Sequence, residues 1–130
     1  VTRNETSSYG IIKPGKKEGR KIEVKSIIEK PNVEDAPSQI AVVGRYIIQP
    51  EVIDHLGLKK RGASGEIQLT DSLSFQINKS PFYAYNFLGE RYDCGNKLGF
   101  IKANTKYSMK DPLIGKDYKK WLDTILMKKV

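Results

Sequence analysis

One cysteine and one histidine stand among 130 residues. A lone cysteine excludes a disulfide framework and any cysteine-based zinc finger. A lone histidine excludes a paired-histidine metal site on a helix. No stretch approaches the roughly 20 consecutive apolar residues that a transmembrane helix needs. The segment Val1–Gly10 is polar and unlike a signal peptide. Hydrophobic residues make up 38%, a lower share than usual but enough for a compact core. These features point to a soluble cytoplasmic domain that keeps its thiol reduced. The length suits one domain, and the start at Val1 without a methionine points to a piece of something longer.

Charge of one sign is in excess: 23 Lys+Arg against 15 Asp+Glu, a net charge of +8. Such a balance permits binding to nucleic acid or to phosphorylated small molecules. The basic residues are dispersed in short clusters, such as Lys59-Lys60-Arg61 and Lys128-Lys129, and none forms a basic tail. No RRM, KH or helix-turn-helix signature accompanies them. A solvated basic surface therefore outranks a nucleic-acid interface.

The punctuation of the chain predicts alternating strands and helices. Tyr9–Lys13 reads as a short strand, Pro14–Gly19 as a turn and Lys21–Lys30 as a second strand. In that second strand Ile22, Val24 and Ile28 share one face, with Glu23, Lys25 and Glu29 on the other. Pro31 ends it and is expected to hold Lys30 extended. Ile40–Ile48, apolar on both faces, reads as a central strand, and Pro50 opens a short helix ending near Gly57. Ser64 or Gly65 caps a helix over 66–78 that buries Leu69, Leu73 and Ile77. Pro81–Leu88 reads as a strand. Asn96–Ser108 reads as a helix burying Leu98, Ile101 and Ala103, and Lys116–Lys128 as a helix with the stripe Tyr118, Trp121, Leu122, Ile125 and Leu126. The pattern predicts an α/β layered domain. It contains no Gly-rich phosphate loop of its own.

Four short motifs could carry chemistry, each with a plainer alternative. In Glu29-Lys30-Pro31 a carboxylate can accept from sugar hydroxyls, and the neighbouring ammonium suits a phosphate. Strand alternation sends the two to opposite faces, so both meet one ligand only if the strand end turns; otherwise they are a solvated pair at an edge. Gly65–Asp71 either fronts a site at a helix start or forms an outer helix face. Asp93, two residues before Gly95, either offers a carboxylate to Mg²⁺ or closes an Asx turn. Gly10, after Tyr9, invites close backbone approach.

In their order and spacing these motifs are more specific. They run from Tyr9-Gly10-Ile11-Ile12 through Ile28–Pro31, Ala36-Pro37-Ser38, Val43–Tyr46 and Gly65–Asp71 to Arg91–Gly99. Together they resemble the C-terminal part of the bacterial UTP–glucose-1-phosphate uridylyltransferases, the UDP-glucose pyrophosphorylases. The resemblance covers the chain from about Tyr9 to Ile125.

That resemblance implies a partial domain over residues 1–130. It would be the sugar-binding portion of a three-layer α/β/α nucleotidyltransferase fold with a mixed sheet, closed by helices within 96–130. It implies formation of UDP-glucose and pyrophosphate from UTP and glucose 1-phosphate, with Mg²⁺ and no covalent enzyme intermediate. Glu29 looks like the sugar-hydroxyl ligand and Lys30 like the catalytic phosphate ligand. Gly10 and Val42 resemble positions whose main chain lines the glucose pocket, and Asp93 resembles a metal carboxylate. Glu66, Gln68 and Asp71 match the motif without an implied role. The Gly-rich nucleotide loop and the first metal-binding Asp of the family have no counterpart here, so the chain alone is expected to be inactive. Neither nucleic acid nor membrane is an expected partner; self-association into a dimer or tetramer is. A stand-alone sugar-phosphate-binding module is the alternative.

Overall fold

The computed structural model describes residues 1–58 and 67–127, which divide into two compact units, Val1–Phe87 and Leu88–Val130. In the first unit a 3-10 helix, Arg3–Ser8, leads into an antiparallel sheet of β1 (Gly10–Glu18), β2 (Lys21–Glu29) and β3 (Tyr83–Tyr85), in that spatial order. Helices α1 (Pro50–Gly57) and α2 (Leu69–Ile77) complete the unit. The core joins Ile12, Ile22, Val24 and Ile27 of the sheet to Val52 of α1 and Leu73 of α2. Leu73 is fully buried there. Its replacement by alanine should destabilise the chain by about 2–5 kcal/mol, the usual effect of a buried cavity. Urea unfolding measures it, and a change under about 1 kcal/mol would mean that α2 does not hold the core.

Several boundaries differ from the sequence reading. The turn expected at Pro14–Gly19 is strand: β1 continues to Glu18, and the reversal falls at Gly19, whose φ of 60° is left-handed. Proline is tolerated because the register shifts on both sides of Pro14. Those shifts also change which side chains face inward. The pairs Lys13↔Ser26 and Pro14↔Val24 skip Lys25, a bulge that inverts the alternation of β2. Ile22 and Val24 face the core, but beyond the bulge the inward residue is Ile27, and Ile28 is 42% exposed. Glu29, two residues on, therefore falls on the inward side rather than with Glu23 and Lys25.

Ile40–Ile48 is not a central strand. Ala41 forms an isolated bridge with Ile11. Ile12 N–H donates to Ile40 O at 3.1 Å and Val42 N–H to Gly10 O at 2.9 Å. The pairing then stops at Gly44, whose φ is 74°. Ile40, Val42, Tyr46 and Ile48 pack on the core, while Val43 and Ile47 face outward. The segment buried on both faces is instead Gly10–Ile12 at the start of β1. Ser38 fixes the join: its hydroxyl donates to Ile12 O (2.7 Å) and accepts from Ile40 N–H (3.0 Å).

α1 and the inner stripe of α2 match expectation. His55 stacks on Phe75 with centroids 4.4 Å apart, and its Nδ1 lies 2.9 Å from the Ser72 hydroxyl. The described part of the α2 region opens with Gln68 as N-cap; Ser64, Gly65 and Glu66 lie outside the described residues. The strand expected over 81–88 shrinks to Tyr83–Tyr85, because it pairs only with Lys21–Glu23.

The second unit is a helical hairpin. Asn96 caps α3 (Lys97–Lys110) by accepting from Gly99 N–H at 2.7 Å. Asp111 turns the chain into α4 (Gly115–Met127) by accepting from the amides of Leu113 and Ile114. Of the three residues expected to be buried on α3, only Ala103 is; Leu98 and Ile101 are about 60% exposed. The α4 stripe forms at its expected spacing but does not make a core, with Trp121, Ile125 and Leu126 all exposed. No helix among the described residues is long and apolar enough to cross a membrane.

Candidate functional site

The end of β2 and the start of β1 bring four of the expected residues to one place. Gly10 and Glu29 face each other across the ladder. A β-carbon on Gly10 would stand 2.9 Å from Val42 Cγ2 and 3.1 Å from Glu29 Oε2. Both are closer than ordinary contact, so glycine is required by the approach of these two side chains. Val42 is held there by its amide bond to Gly10 O.

Glu29 is half-buried, and the bulge at Lys25 is what turns it inward. Its Oε2 accepts a 2.5 Å hydrogen bond from the Thr70 hydroxyl, reaching from the first turn of α2. Thr70 lies within the Gly65–Asp71 motif, but sequence reasoning passed over it for its more polar neighbours. The available signal was its place one turn before Leu73 and Ser74 on the inward face. Gln68 is half-buried at the N-cap, and Asp71 is exposed on the outer side of the same turn. Tyr46 also borders the site. Burial, and secondarily the charge of Glu29, push its phenol above the usual tyrosine range.

Lys30 departs from the expected extended conformation: its φ is 44°. It is the one non-glycine residue with positive φ among the described residues. Pro31 disfavours the right-handed helical region for its predecessor, and Lys30 N–H closes the ladder by donating to Tyr9 O at 3.0 Å. The left-handed turn breaks the two-residue alternation directly after Glu29. This is the turn of the strand end that a shared ligand requires. The Lys30 ammonium is exposed and has no ion-pair partner among the described residues.

Asp93 belongs to the second unit and behaves as a turn residue. Its Oδ1 accepts from Gly95 N–H at 3.0 Å, and its Oδ2 lies 3.1 Å from Arg91 Nη2. Its carbonyl occupies the place where a β-carbon on Gly99 would sit, which accounts for that glycine. Next to it, the Tyr92 hydroxyl and Lys106 hold the Glu90 carboxyl below its usual range. No three His, Cys, Asp or Glu side chains converge as a cation site among the described residues. Serving Mg²⁺ from Asp93 would require its carboxylate to leave Arg91. An apolar concavity nearby, lined by Phe100, Ala103, Tyr107 and Ile114, holds none of the expected site residues.

A family model described as nucleotidyl transferase matches residues 1–110. The chain belongs to the nucleotidyl transferase family. Its sheet and helices are those of the α/β nucleotidyltransferase fold, and no parallel pairing occurs among its described strands. This nucleotidyl transferase chain is 51% identical, over 112 residues, to the UTP–glucose-1-phosphate uridylyltransferase of Staphylococcus haemolyticus, covering 86% of itself and 39% of that protein. It is 44% identical over 122 residues to the enzyme of the same name from Staphylococcus epidermidis, covering 94% of itself and 42% of the relative. Among solved structures it is similar to a UDP-glucose pyrophosphorylase complexed with UDP-glucose, with a TM-score of 0.79 and 44% identity, over 85% of this chain and 42% of that one. A UDP-glucose pyrophosphorylase from Acinetobacter baumannii gives a TM-score of 0.80 at 31% identity, over 96% and 43% of the two chains. The chain thus spans about two fifths of the length of the relatives it matches.

Proposed function

We propose that this chain supplies the glucose 1-phosphate side of a uridylyltransferase that forms UDP-glucose and pyrophosphate from UTP and glucose 1-phosphate. One observation carries the reading. A carboxylate fixed in place and an exposed ammonium stand on consecutive residues, with a left-handed turn between strand and loop.

In the reaction a phosphate oxygen of glucose 1-phosphate attacks the α-phosphorus of UTP, the bond to the β-phosphate breaks, and pyrophosphate departs. Catalysis of this kind is positioning and charge neutralisation. Glu29 accepts hydrogen bonds from sugar hydroxyls and sets the orientation of the ring. Lys30 neutralises the sugar phosphate and aims its oxygen. The main chain of Gly10 and Val42 lines the pocket wall, and the missing side chain at Gly10 makes room for Val42 and Glu29 beside it. Mg²⁺ belongs to the reaction as a whole, which is cytoplasmic, and would neutralise the UTP phosphates. No step assigned to this chain's residues runs through it. The exposed Trp121, Ile125 and Leu126 on α4 support association of copies into a dimer or tetramer. Truncation before Asp111 should then leave a monomer in sedimentation.

Thermal unfolding and turnover of the full chain test the reading together. Glucose 1-phosphate should raise the Tm, UTP alone should not, and the two together should yield no UDP-glucose. Protection that no nucleotide-binding protein can convert into turnover would favour a stand-alone sugar-phosphate-binding module. Absence of protection by glucose 1-phosphate would overturn the sugar site, and UDP-glucose from the chain alone would overturn its inactivity.

A further inference from the structure

We infer that Thr70 is a positioning residue for the sugar carboxylate, acting through Glu29 rather than on the ligand. The inference rests on the reading of Glu29 as the sugar ligand. A glutamate side chain has three rotatable bonds, and a carboxylate left to swing between them pays for its own ordering each time a ligand arrives. Glu29 is not left to swing. Its Oε2 is enclosed between the Thr70 hydroxyl, 2.5 Å away, and the bare face of Gly10. An ionised carboxylate can only accept, so the hydroxyl must be the donor and its proton is committed to Oε2. Oε1 has no hydrogen-bond partner among the described residues. The pair thus sorts the two oxygens by role: Oε2 is the anchored one, and Oε1 is the one presented to a sugar hydroxyl.

The anchor is itself rigid. Thr70 is 6% exposed and belongs to the first turn of α2, whose next turn carries the fully buried Leu73. A β-branched side chain on a helix has few accessible rotamers. Forty-one residues separate donor and acceptor in sequence, so the bond forms only when α2 is docked on the end of β2. It transmits the position of the helix to the carboxylate.

Thr70→Val keeps the shape of the side chain and removes the proton donor; Thr70→Ser keeps the donor and removes a methyl group. Chemical-shift titrations of the full chain with glucose 1-phosphate and with inorganic phosphate separate the roles. Thr70→Val should weaken glucose 1-phosphate about tenfold, the usual weight of a hydrogen bond to a charged group, and leave inorganic phosphate unchanged. Thr70→Ser should restore the sugar phosphate to within about threefold of the parent. Equal weakening of both ligands, or no rescue by serine, would make Thr70 a packing residue and overturn the inference. Unchanged glucose 1-phosphate affinity in Thr70→Val would overturn it too, with the sugar site standing. A folded parent chain that binds no glucose 1-phosphate would overturn the sugar site first, and this inference with it.

Discussion

Replacing Lys30 with glycine should weaken glucose 1-phosphate binding by about ten- to a hundredfold while leaving the fold as stable as before, or more so. The ammonium is exposed and in no ion pair among the described residues, so its removal breaks no ion pair there. A charge-assisted contact to a phosphate contributes roughly 1.5–3 kcal/mol, which sets the expected loss. Stability responds in the opposite sense. A residue with a β-carbon at a φ of 44° is held in the left-handed region, at a strain of roughly 1–2 kcal/mol that glycine does not share. Glycine gives back roughly 0.4–1 kcal/mol through the entropy of the unfolded chain. The net expectation is a change between zero and about +1.5 kcal/mol in stability. Urea unfolding and ligand titration of the same variant measure both halves. Lower stability with unchanged binding would make Lys30 a structural residue and remove it from the site.

Glu29→Gln should separate the sugar from the phosphate. The amide keeps the size of the carboxylate, and its oxygen can still accept from Thr70, so the fold should change by less than about 1 kcal/mol. It loses the charge and turns one acceptor into a donor. Sugar hydroxyls that donated to Oε1 then face an N–H group. Glucose 1-phosphate should bind about tenfold more weakly. Inorganic phosphate, which carries no sugar ring for Glu29 to read, should bind as before or slightly better once the nearby negative charge is gone. Lys30→Gly weakens both ligands, and Glu29→Gln only one. Identical profiles for the two variants would contradict the division of labour between them.

Much of this candidate site was legible in the chain. Glu29-Lys30-Pro31 carries its chemistry in its residue types, and Gly10 announced a close approach that Val42 and Glu29 supply. The α1 helix follows from Pro50 in its first turn, and the inner stripe of α2 from its period. What could not be read was the inward turn of Glu29. Strict alternation places it with Lys25 on the outer face, and only the bulge at Lys25 reverses that. A bulge has no side-chain signature here, because Lys25 is an ordinary strand residue. The left-handed Lys30 was hidden for a related reason: a lysine before a proline reads as extended, and its closing bond goes to Tyr9, far back in the chain just before β1. Thr70 was hidden because its partner lies 41 residues away. The misread segment 40–48 shows the limit of composition. Its apolar run looked central, but Gly44 ends the pairing and only every second side chain reaches the core.

The most direct measurement is a crystal structure of the chain with glucose 1-phosphate. The account predicts the sugar hydroxyls on Glu29, with Oε2 still held by Thr70, the phosphate against the Lys30 ammonium, and the ring over the backbone of Gly10 and Val42. A sugar phosphate seated elsewhere, with Glu29 and Lys30 free of it, would contradict the account at its centre.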